Sequence, residues 1–417
     1  MVRYLDEAII RAVLRWEPLI TAMEPALIAF SSGRVLQPVR NMLTIEEGKR
    51  YLGIMPAVAE EVMGLKLVSF YPKNAGTGIP THLAMILLFR PDAGEPLAVM
   101  DGRLITEMRT AAVSAAVTKR LASPESRILA LLGSGVQASA HLAALSCVCG
   151  FDEVRVWSQT PEHARRFAEE CNTRASPDAE SAVHDADVIV TATNAREPIL
   201  RGAWLKPGAH VNAIGSPRPT WRELDDHAMT SGVLVVDSRE AVLKESGDVI
   251  LSKAPIYAEV GEIFAGTSQS HPRVPRLYSS PSASPSRTSQ RPGWCTRRSP
   301  LSPDRSRRGD CGVCFGAENC PLRSPRKVER TAEVIRWLSV FADRMARDID
   351  RNRGCRRGAK DNRSSRQYRQ PMRDEFSPKS IQAVLSAVDA SRSIFAAMMK
   401  SFSWRPLIFL VRSDTVP

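Results

Sequence analysis

The first two-thirds of this chain contain little cysteine, no signal-peptide pattern and no long apolar run. Only Cys147, Cys149 and Cys171 of the eight cysteines precede residue 267, which is typical of proteins from a reducing compartment. The segment 1–7 lacks the basic-then-apolar order of a signal peptide. No uninterrupted apolar run reaches the length of a membrane helix. We therefore expect a cytoplasmic protein with no membrane partner.

That part of the chain also lacks an excess of basic residues, although the whole chain has a formal net charge of +12. Residues 267–417 contain 30 Lys and Arg against 13 Asp and Glu, whereas residues 1–266 contain 27 against 32. Because nucleic-acid binding depends on a basic surface, this distribution argues against nucleic acid as a partner of residues 1–266. Their composition is that of a soluble enzyme.

A glycine-rich turn follows the apolar run Ile128–Leu132. It has the pattern Gly-x-Gly-x-x-Ala, with Gly133, Gly135 and Ala138, and continues into a helical pattern. The first glycine permits a tight turn, the second lets a phosphate approach, and the alanine lets the helix pack on the strand. Free N–H groups at a helix start suit a pyrophosphate. An ordinary glycine turn in an α/β loop is the alternative.

Strands alternate with helical stretches after this turn. The predicted strands are 128–132, 153–157, 187–193, 210–215 and 233–237, with a helix over 161–171 between the second and third. Such alternation is typical of a doubly wound parallel sheet, that is, a Rossmann-type domain. The context favours dinucleotide binding over the ordinary turn.

The preceding residues show a different pattern. One or two helices are predicted within residues 6–30, and a helix over 105–121. Four short apolar runs, 51–55, 65–70, 85–89 and 97–100, predict a mostly antiparallel sheet. The expected fold class is therefore α/β: a Rossmann-type sheet over 121–266 and an α+β domain over 1–120, followed by an irregular or disordered tail over 267–417.

Several ordered motifs carry a family resemblance. They are QPVR at 37–40, GLKLV at 64–68, GIPTH at 78–82, AVMDG at 98–102, RTAAVSA at 109–115, the glycine turn, KPGAHVNAIG at 206–215 and KESGD at 244–248. With these motifs the first 266 residues resemble the ornithine cyclodeaminase/mu-crystallin family of NAD(P)-dependent enzymes. The resemblance implies a Rossmann domain, a substrate-binding and dimerisation domain, and a homodimer.

The resemblance places a substrate carboxylate on Arg40, Lys66 and Arg109, of which Lys66 and Arg109 are the candidate catalytic residues. The guanidinium group binds a carboxylate bidentately. Lys66 lies in an apolar run, which lowers the pKa of an ammonium and suits it to proton transfer. From spacing alone, each could instead be a solvated surface charge or part of an ion pair.

The resemblance also implies the cofactor-binding residues. They are Thr81, His82, Gly133, Gly135, Val136, Gln137, Thr193 and Ile214. Thr193 could equally be a strand-end threonine packed in the sheet. No metal site is expected.

The end of the second Rossmann strand bears on the choice of cofactor. NAD enzymes tend to have an acidic residue there, whereas an arginine favours the phosphate of NADP. This chain has Ser158, Gln159 and Thr160. Since no carboxylate would repel the phosphate, and Ser158 and Thr160 can donate hydrogen bonds, NADP is favoured over NAD.

The expected reaction follows from a departure at Pro217. Ornithine cyclodeaminases of the family have a catalytic aspartate in this loop, whereas the nearest carboxylates here are Glu223, Asp225 and Asp226. This argues against deamination with cyclisation. What remains is hydride transfer between NAD(P)H and a C=N bond next to a carboxylate, on a small substrate derived from an amino acid. An amino-acid cyclodeaminase and a non-catalytic protein binding NADP and a small ligand are the alternatives.

The tail departs from the family pattern after Gly266. Back-translation of residues 277–296, with the reading frame moved by one base, allows TVFKSLGIAVEDVAAARLVY, which resembles the family's C-terminal return helix. We therefore hypothesise a frameshift and no native domain over 267–417. Under this hypothesis the Cys311, Cys314 and Cys320 cluster, the basic run 351–357 and the helical patterns at 329–349 and 380–399 are accidental.

Overall fold

A computed structural model describes residues 2–268 and 407–412 of the chain, apart from positions 48, 61, 75, 216 and 217. These residues form two sheets with their helices. One buried apolar cluster contains side chains from both sheets. Pro217, the tail cysteines, the basic run and both tail helix predictions lie outside the described residues.

The N-terminal elements form a six-stranded sheet and three helices. They are β1 (Arg3–Leu5), α1 (Glu7–Val13), α2 (Trp16–Ser31), β2 (Asn41–Glu46), β3 (Arg50–Val58), β4 (Met63–Phe70), β5 (His82–Phe89), β6 (Pro96–Asp101) and α3 (Arg103–Leu121). The strand order is β1-β6-β5-β4-β3-β2. All pairs are antiparallel except β1 with β6. The predicted antiparallel sheet is thus confirmed, and the two edge strands are additions to it.

Burial alternates along the central strands of this sheet. On β4, Gly64, Lys66 and Val68 are buried, whereas the residues between them are partly exposed. Successive strand residues point to opposite faces, so Lys66 lies on the face directed toward the core. Its cross-strand partners Met55 and Ile86 are buried on the same face.

The second sheet has the Rossmann topology. Its elements and their helices are β7 (Ile128–Leu132), α4 (Val136–Ser146), β8 (Glu153–Trp157), α5 (Pro161–Cys171), β9 (Arg174–Ala175), α6 (Ala179–Val183), β10 (Val188–Thr191), β11 (His210–Ala213), α7 (Asp226–Ser231), β12 (Gly232–Val236), α8 (Arg239–Glu245), α9 (Gly247–Ser252), β13 (Ile256–Glu259), α10 (Val260–Ala265) and β14 (Ile408–Arg412). The strand order is β13-β12-β14-β11-β10-β7-β8-β9. All pairs are parallel except those of β14. The predicted doubly wound sheet is confirmed.

Strand β14 is an antiparallel insertion between β11 and β12. Its side chains are buried on both faces of the sheet: Phe409 is 0% exposed and Leu410 1% exposed. The two residues belong to different apolar clusters. No strand was predicted in residues 267–417, so β14 adds an element to the predicted fold.

Candidate functional site

A cleft of about 390 Å³ lies between the two sheets. It is lined by residues of β4, β5, α3, the start of α4 and the loop after β10: Val68, Pro80, Thr81, His82, Leu83, Ala84, Arg103, Thr106, Glu107, Thr110, Gly135, Val136, Gln137, Ala192, Thr193 and Asn194. The strand order reverses between β7 and β10. Ligands of open α/β sheets bind at the carboxyl ends of strands at such a switch point.

The glycine turn forms one wall of this cleft. Gly133 has φ +120°, and a Cβ atom there would lie 2.5 Å from the Ala192 carbonyl oxygen, so only glycine fits. At Gly135 no heavy atom lies within 4 Å of the Cβ position. Gly135 caps the eleven-residue helix α4 without a side-chain hydrogen bond, and the buried Gln137 Oε1 has no hydrogen-bond partner in the part of the chain that the structure describes. Free donors and open space at a helix start fit a pyrophosphate.

Thr81 and His82 form the opposite wall. Thr81 Oγ1 lies 3.1 Å from His82 Nδ1. The His82 ring stacks on Phe70, with 4.3 Å between the ring centroids. These contacts fix the orientation of the imidazole at the cleft, where the resemblance implies a cofactor contact.

The Lys66 side chain lies inside the protein, with 1% of its surface exposed. Its pKa is well below the ordinary value because it is buried and because Arg109 and Arg40 add positive charge nearby. The structure therefore places Lys66 within electrostatic reach of both Arg109 and Arg40. An anion placed among them would relieve this repulsion.

Arg109 has the features of an anion-binding group. It lies within α3 and is 4% exposed. Burial lowers the pKa of Arg109 to about 10, and the Asp237 carboxylate partly opposes this shift. Its Nε and Nη2 atoms are buried and have no hydrogen-bond partner among the described residues. Because unpaired buried donors are costly, two such donors on one planar group indicate a place for a carboxylate.

Arg40 is held by the Rossmann domain. Its Nε atom donates to Glu245 Oε1 of α8 at 2.7 Å, in a pair that is largely buried. Burial raises the pKa of Glu245, and Arg40 opposes that shift. Glu245 lies in the KESGD motif, but no pattern in the sequence predicts its contact with Arg40 or the effect of Asp237 on Arg109.

Of the remaining predicted cofactor-binding residues, some line the cleft and others do not. The end of β8 adjoins the glycine turn, since Gly133 N donates to Trp157 O at 2.8 Å. Ser158 beyond it is half-buried, while Gln159 and Thr160 are exposed. Thr193 lines the cleft, whereas the Ile214 side chain is 1% exposed within the core and does not line it.

Glu223 is a buried residue to which the sequence analysis gave no role. Its carboxylate accepts hydrogen bonds from Thr193 at the cleft and from Gly215. Asp248 in turn accepts from the backbone N–H of Glu223. The only signals were the carboxylate noted near Pro217 and the aspartate of the KESGD motif.

Two absences hold for the described ranges, 2–268 and 407–412 with their gaps. No helix there is long and apolar enough to span a membrane. No group of three or more His, Cys, Asp or Glu side chains there could hold a metal ion.

Residues 5–281 match the model of the ornithine cyclodeaminase/mu-crystallin family. The ketimine reductase mu-crystallin of Mus musculus is 50% identical over 260 residues, which cover 61% of this chain and 83% of the relative. A delta(1)-pyrroline-2-carboxylate reductase of Bacillus cereus is 34% identical over 272 residues, covering 61% and 83% of the two chains.

Solved structures are similar over the same part of the chain. The delta(1)-pyrroline-2-carboxylate reductase of Thermococcus litoralis, in complex with NADH and L-proline, matches with a TM-score of 0.63 and 35% identity, covering 66% of this chain and 89% of that one. An archaeal alanine dehydrogenase dimer with bound NAD matches with a TM-score of 0.60 and 30% identity, covering 64% and 86%.

Proposed function

Because this chain belongs to the ornithine cyclodeaminase/mu-crystallin family, we propose that it is an NAD(P)H-dependent oxidoreductase acting on a C=N bond next to a carboxylate. The observation that carries the proposal is the buried guanidinium of Arg109, whose Nε and Nη2 have no hydrogen-bond partner among the described residues and whose charge acts on Lys66. Thr106 and Thr110 of the same helix line the cleft proposed to hold the dinucleotide. A similar ketimine reductase and a solved neighbour with NADH and L-proline support it.

The residues divide the reaction between them. Arg109 and Arg40 hold the substrate carboxylate and thereby fix the adjacent C=N bond against the cleft. Bound NAD(P)H supplies a hydride to the imine carbon. Lys66 holds the proton that the imine nitrogen receives, so that C=N becomes CH–NH and the product is an amino acid. A lowered pKa lets Lys66 release this proton readily.

Assays with reduced cofactor test the proposal. Purified protein is incubated with NADPH or NADH and five- and six-membered cyclic imines that carry a 2-carboxylate. We expect oxidation of the cofactor with equal formation of the cyclic amino acid. Ammonia release from ornithine without net cofactor oxidation would instead indicate a cyclodeaminase. Stoichiometric ligand binding with no turnover on any imine would indicate a non-catalytic binding protein.

For the cofactor, we propose NADP in preference to NAD. Described residues 158–160 at the end of β8 include no carboxylate, and Ser158 lies there with a hydroxyl donor. A carboxylate at this position would accept the ribose hydroxyls of NAD and repel the 2′-phosphate of NADP. The ratio of dissociation constants for NADPH and NADH measures this preference, and tighter binding of NADH would contradict it.

We also propose a homodimer that forms through the outer face of the six-stranded sheet. In register across this face lie Ile54, Leu67 and Met85, followed by Leu65, Leu87 and Val99. Met85 is 44% exposed. A contiguous apolar sheet face of this kind is typical of an interface. In this proposal residues 1–120 bind substrate and dimerise, and residues 121–266 bind the cofactor.

Sedimentation analysis tests the dimer. We expect the wild type to sediment as a dimer and Met85→Glu to sediment as a monomer. Leu251→Glu, on an exposed position of α9, is the control and should remain dimeric. A monomeric wild type would contradict the proposal.

A cytoplasmic location is the last part of the proposal. Cys147, Cys149 and Cys171 are free cysteines in the described part of the chain. Free thiols persist in a reducing compartment. Cell fractionation should place the tagged protein with cytoplasmic markers, and recovery from a secretory compartment would contradict this.

A further inference from the structure

The Glu223 carboxylate is fully buried at the carboxyl ends of β10 and β11, where four hydrogen bonds meet. Its Oε1 atom accepts hydrogen bonds from Thr193 N at 2.6 Å and Thr193 Oγ1 at 2.5 Å. Its Oε2 atom accepts from Thr191 Oγ1 at 2.7 Å and Gly215 N at 2.8 Å. With 0% of its surface exposed, all its hydrogen bonds are to protein groups. Two of these partners, Thr193 N and Gly215 N, can only donate, so each carboxyl oxygen faces one obligate donor.

The backbone around Glu223 is fixed as firmly as its side chain. The N–H groups of Glu223 and Leu224 donate to Asp248 Oδ1 at 2.9 and 3.0 Å. The Glu223 carbonyl accepts from Ile199 and Leu200, each at 2.9 Å. The position of Glu223 is therefore set by hydrogen bonds to α9 and to the segment after β10.

Gly215 is shaped around this carboxylate. A Cβ atom at residue 215 would lie 2.0 Å from Glu223 Oε1 and 2.4 Å from Oε2. No side chain fits there while Glu223 keeps its place. Glu223 therefore fixes the position of Gly215, shortly after the end of β11.

Glu223 is linked to the cleft through Thr193. Ala192 and Thr193 line the cleft beside Gly135, whereas Glu223 does not. The same two residues confine the glycine turn, because a Cβ atom on Gly133 would lie 2.5 Å from Ala192 O and 3.3 Å from Thr193 Cγ2. A change in the Thr193 backbone would thus alter both the wall of the cleft and the space beside the turn.

We propose that Glu223 is a positioning residue for the dinucleotide: its carboxylate holds Thr193, and with it this wall of the cleft, in the arrangement that receives the cofactor. The inference rests on the proposed function, because it assumes that the cleft binds NADPH or NADH. Replacement of the Glu223 carboxylate should weaken cofactor binding more than it slows the chemical step.

Glu223→Gln tests this most directly, since it preserves the size of the side chain. The amide NH₂ cannot accept, so a donor on one side is left unpaired. We expect the dissociation constant and the KM for NADPH to rise about tenfold or more, as the loss of one buried hydrogen bond to a charged group predicts, with a smaller change in kcat. Glu223→Asp is a second variant, which keeps the charge but withdraws it by one methylene group; we expect weaker binding there too.

Thr191→Val is the matched control. It removes one donor to the same carboxylate on the side away from the cleft, so cofactor affinity should change less than about threefold. Cooperative thermal unfolding of each variant establishes that it is folded. A folded Glu223→Gln or Glu223→Asp protein that binds NADPH as the wild type does would overturn the proposal.

The wild type separates the two proposals. Cofactor binding without reduction of any imine would overturn the proposed reaction, while the affinities of the variants still decide the role of Glu223. Absence of both NADPH and NADH binding would overturn both proposals.

Discussion

Arg40 and Glu245 join the N-terminal domain to the Rossmann domain, with Arg40 Nε 2.7 Å from Glu245 Oε1. The guanidinium that is proposed to hold the substrate carboxylate is thus already engaged by a carboxylate of the protein. Under the proposed function, the substrate carboxylate would compete with Glu245 for Arg40. We therefore expect Glu245 to affect substrate affinity.

We predict that Glu245→Gln lowers the KM for the imine substrate by roughly threefold or more, because the neutral amide competes less strongly than a carboxylate. Steady-state kinetics at saturating cofactor measure this change. Glu240→Gln is the control, since Glu240 lies on the same helix and pairs with the exposed Lys244. An increase in KM would indicate that Glu245 positions Arg40 for substrate and does not compete with it.

Arg109→Met should separate function from stability. Loss of a bidentate, charge-assisted contact predicts a fall in kcat/KM of about 100-fold. Thermal stability should stay the same or rise, because a buried, incompletely paired charge is replaced by an apolar side chain of similar size. Lys119→Met, at an exposed position of the same helix, should leave kcat/KM unchanged. A large loss of stability in Arg109→Met would contradict the assignment of Arg109 to ligand binding.

The pH dependence of kcat/KM should report Lys66. The Lys66 amine must be protonated to attract the substrate carboxylate and to supply a proton. Activity should therefore fall as pH rises through the pKa of Lys66. Because burial and two neighbouring arginines lower that pKa well below 10.5, the alkaline fall should begin well below that value. Lys66→Arg should lower kcat/KM, since the guanidinium does not readily release a proton, and the residual activity should lack the alkaline fall, since the guanidinium stays protonated. An unchanged profile in Lys66→Arg would assign the titration to another group.

Cofactor preference should respond to residue 159. Gln159→Asp places a carboxylate at the end of β8, so the ratio of kcat/KM with NADPH to that with NADH should fall about tenfold or more. Gln159→Asn stays neutral and should leave the ratio nearly unchanged. Equal ratios in both variants would show that the 2′-position lies elsewhere.

Strand β14 should contribute substantially to stability. Phe409 is fully buried, and truncation of a buried phenylalanine costs about 3–5 kcal/mol. We therefore predict that Phe409→Ala lowers the free energy of unfolding by about that amount in denaturant titrations. Leu243→Ala, with Leu243 59% exposed, should change it by less than about 0.5 kcal/mol. Equal effects would show that β14 does not complete the sheet in solution.

The repeating apolar segments made most strands predictable. The strands at 128–132 and 153–157 have the predicted bounds, because their apolar runs end at glycine or polar residues. β2 was missed since Asn41–Glu46 alternates weakly and lies at an exposed edge. β14 was missed because its partners are more than 170 residues away in sequence, and no local pattern in the basic tail indicates them.

The candidate site was predictable only in part. The burial of Lys66 follows from its place in an apolar strand, and the glycine turn follows from its pattern. The contacts Arg40–Glu245 and Thr193–Glu223 join residues 205 and 30 positions apart, so sequence spacing does not reveal them. The frameshift stays a hypothesis. Sequencing of the coding DNA between the codons for Gly266 and Ser279 tests it, and an intact frame with no alternative reading would contradict it.

The fate of the cofactor's hydride tests the central claim most directly. The protein is incubated with a cyclic imine 2-carboxylate and NADPH that carries deuterium on the transferable position of C4, and the product is analysed by mass spectrometry and NMR. The proposed function predicts one deuterium per product molecule, at the carbon that bears the carboxylate. Unlabelled product, or carboxylate binding with no product from NADPH or NADH, would contradict the claim that this chain transfers a hydride to a C=N bond.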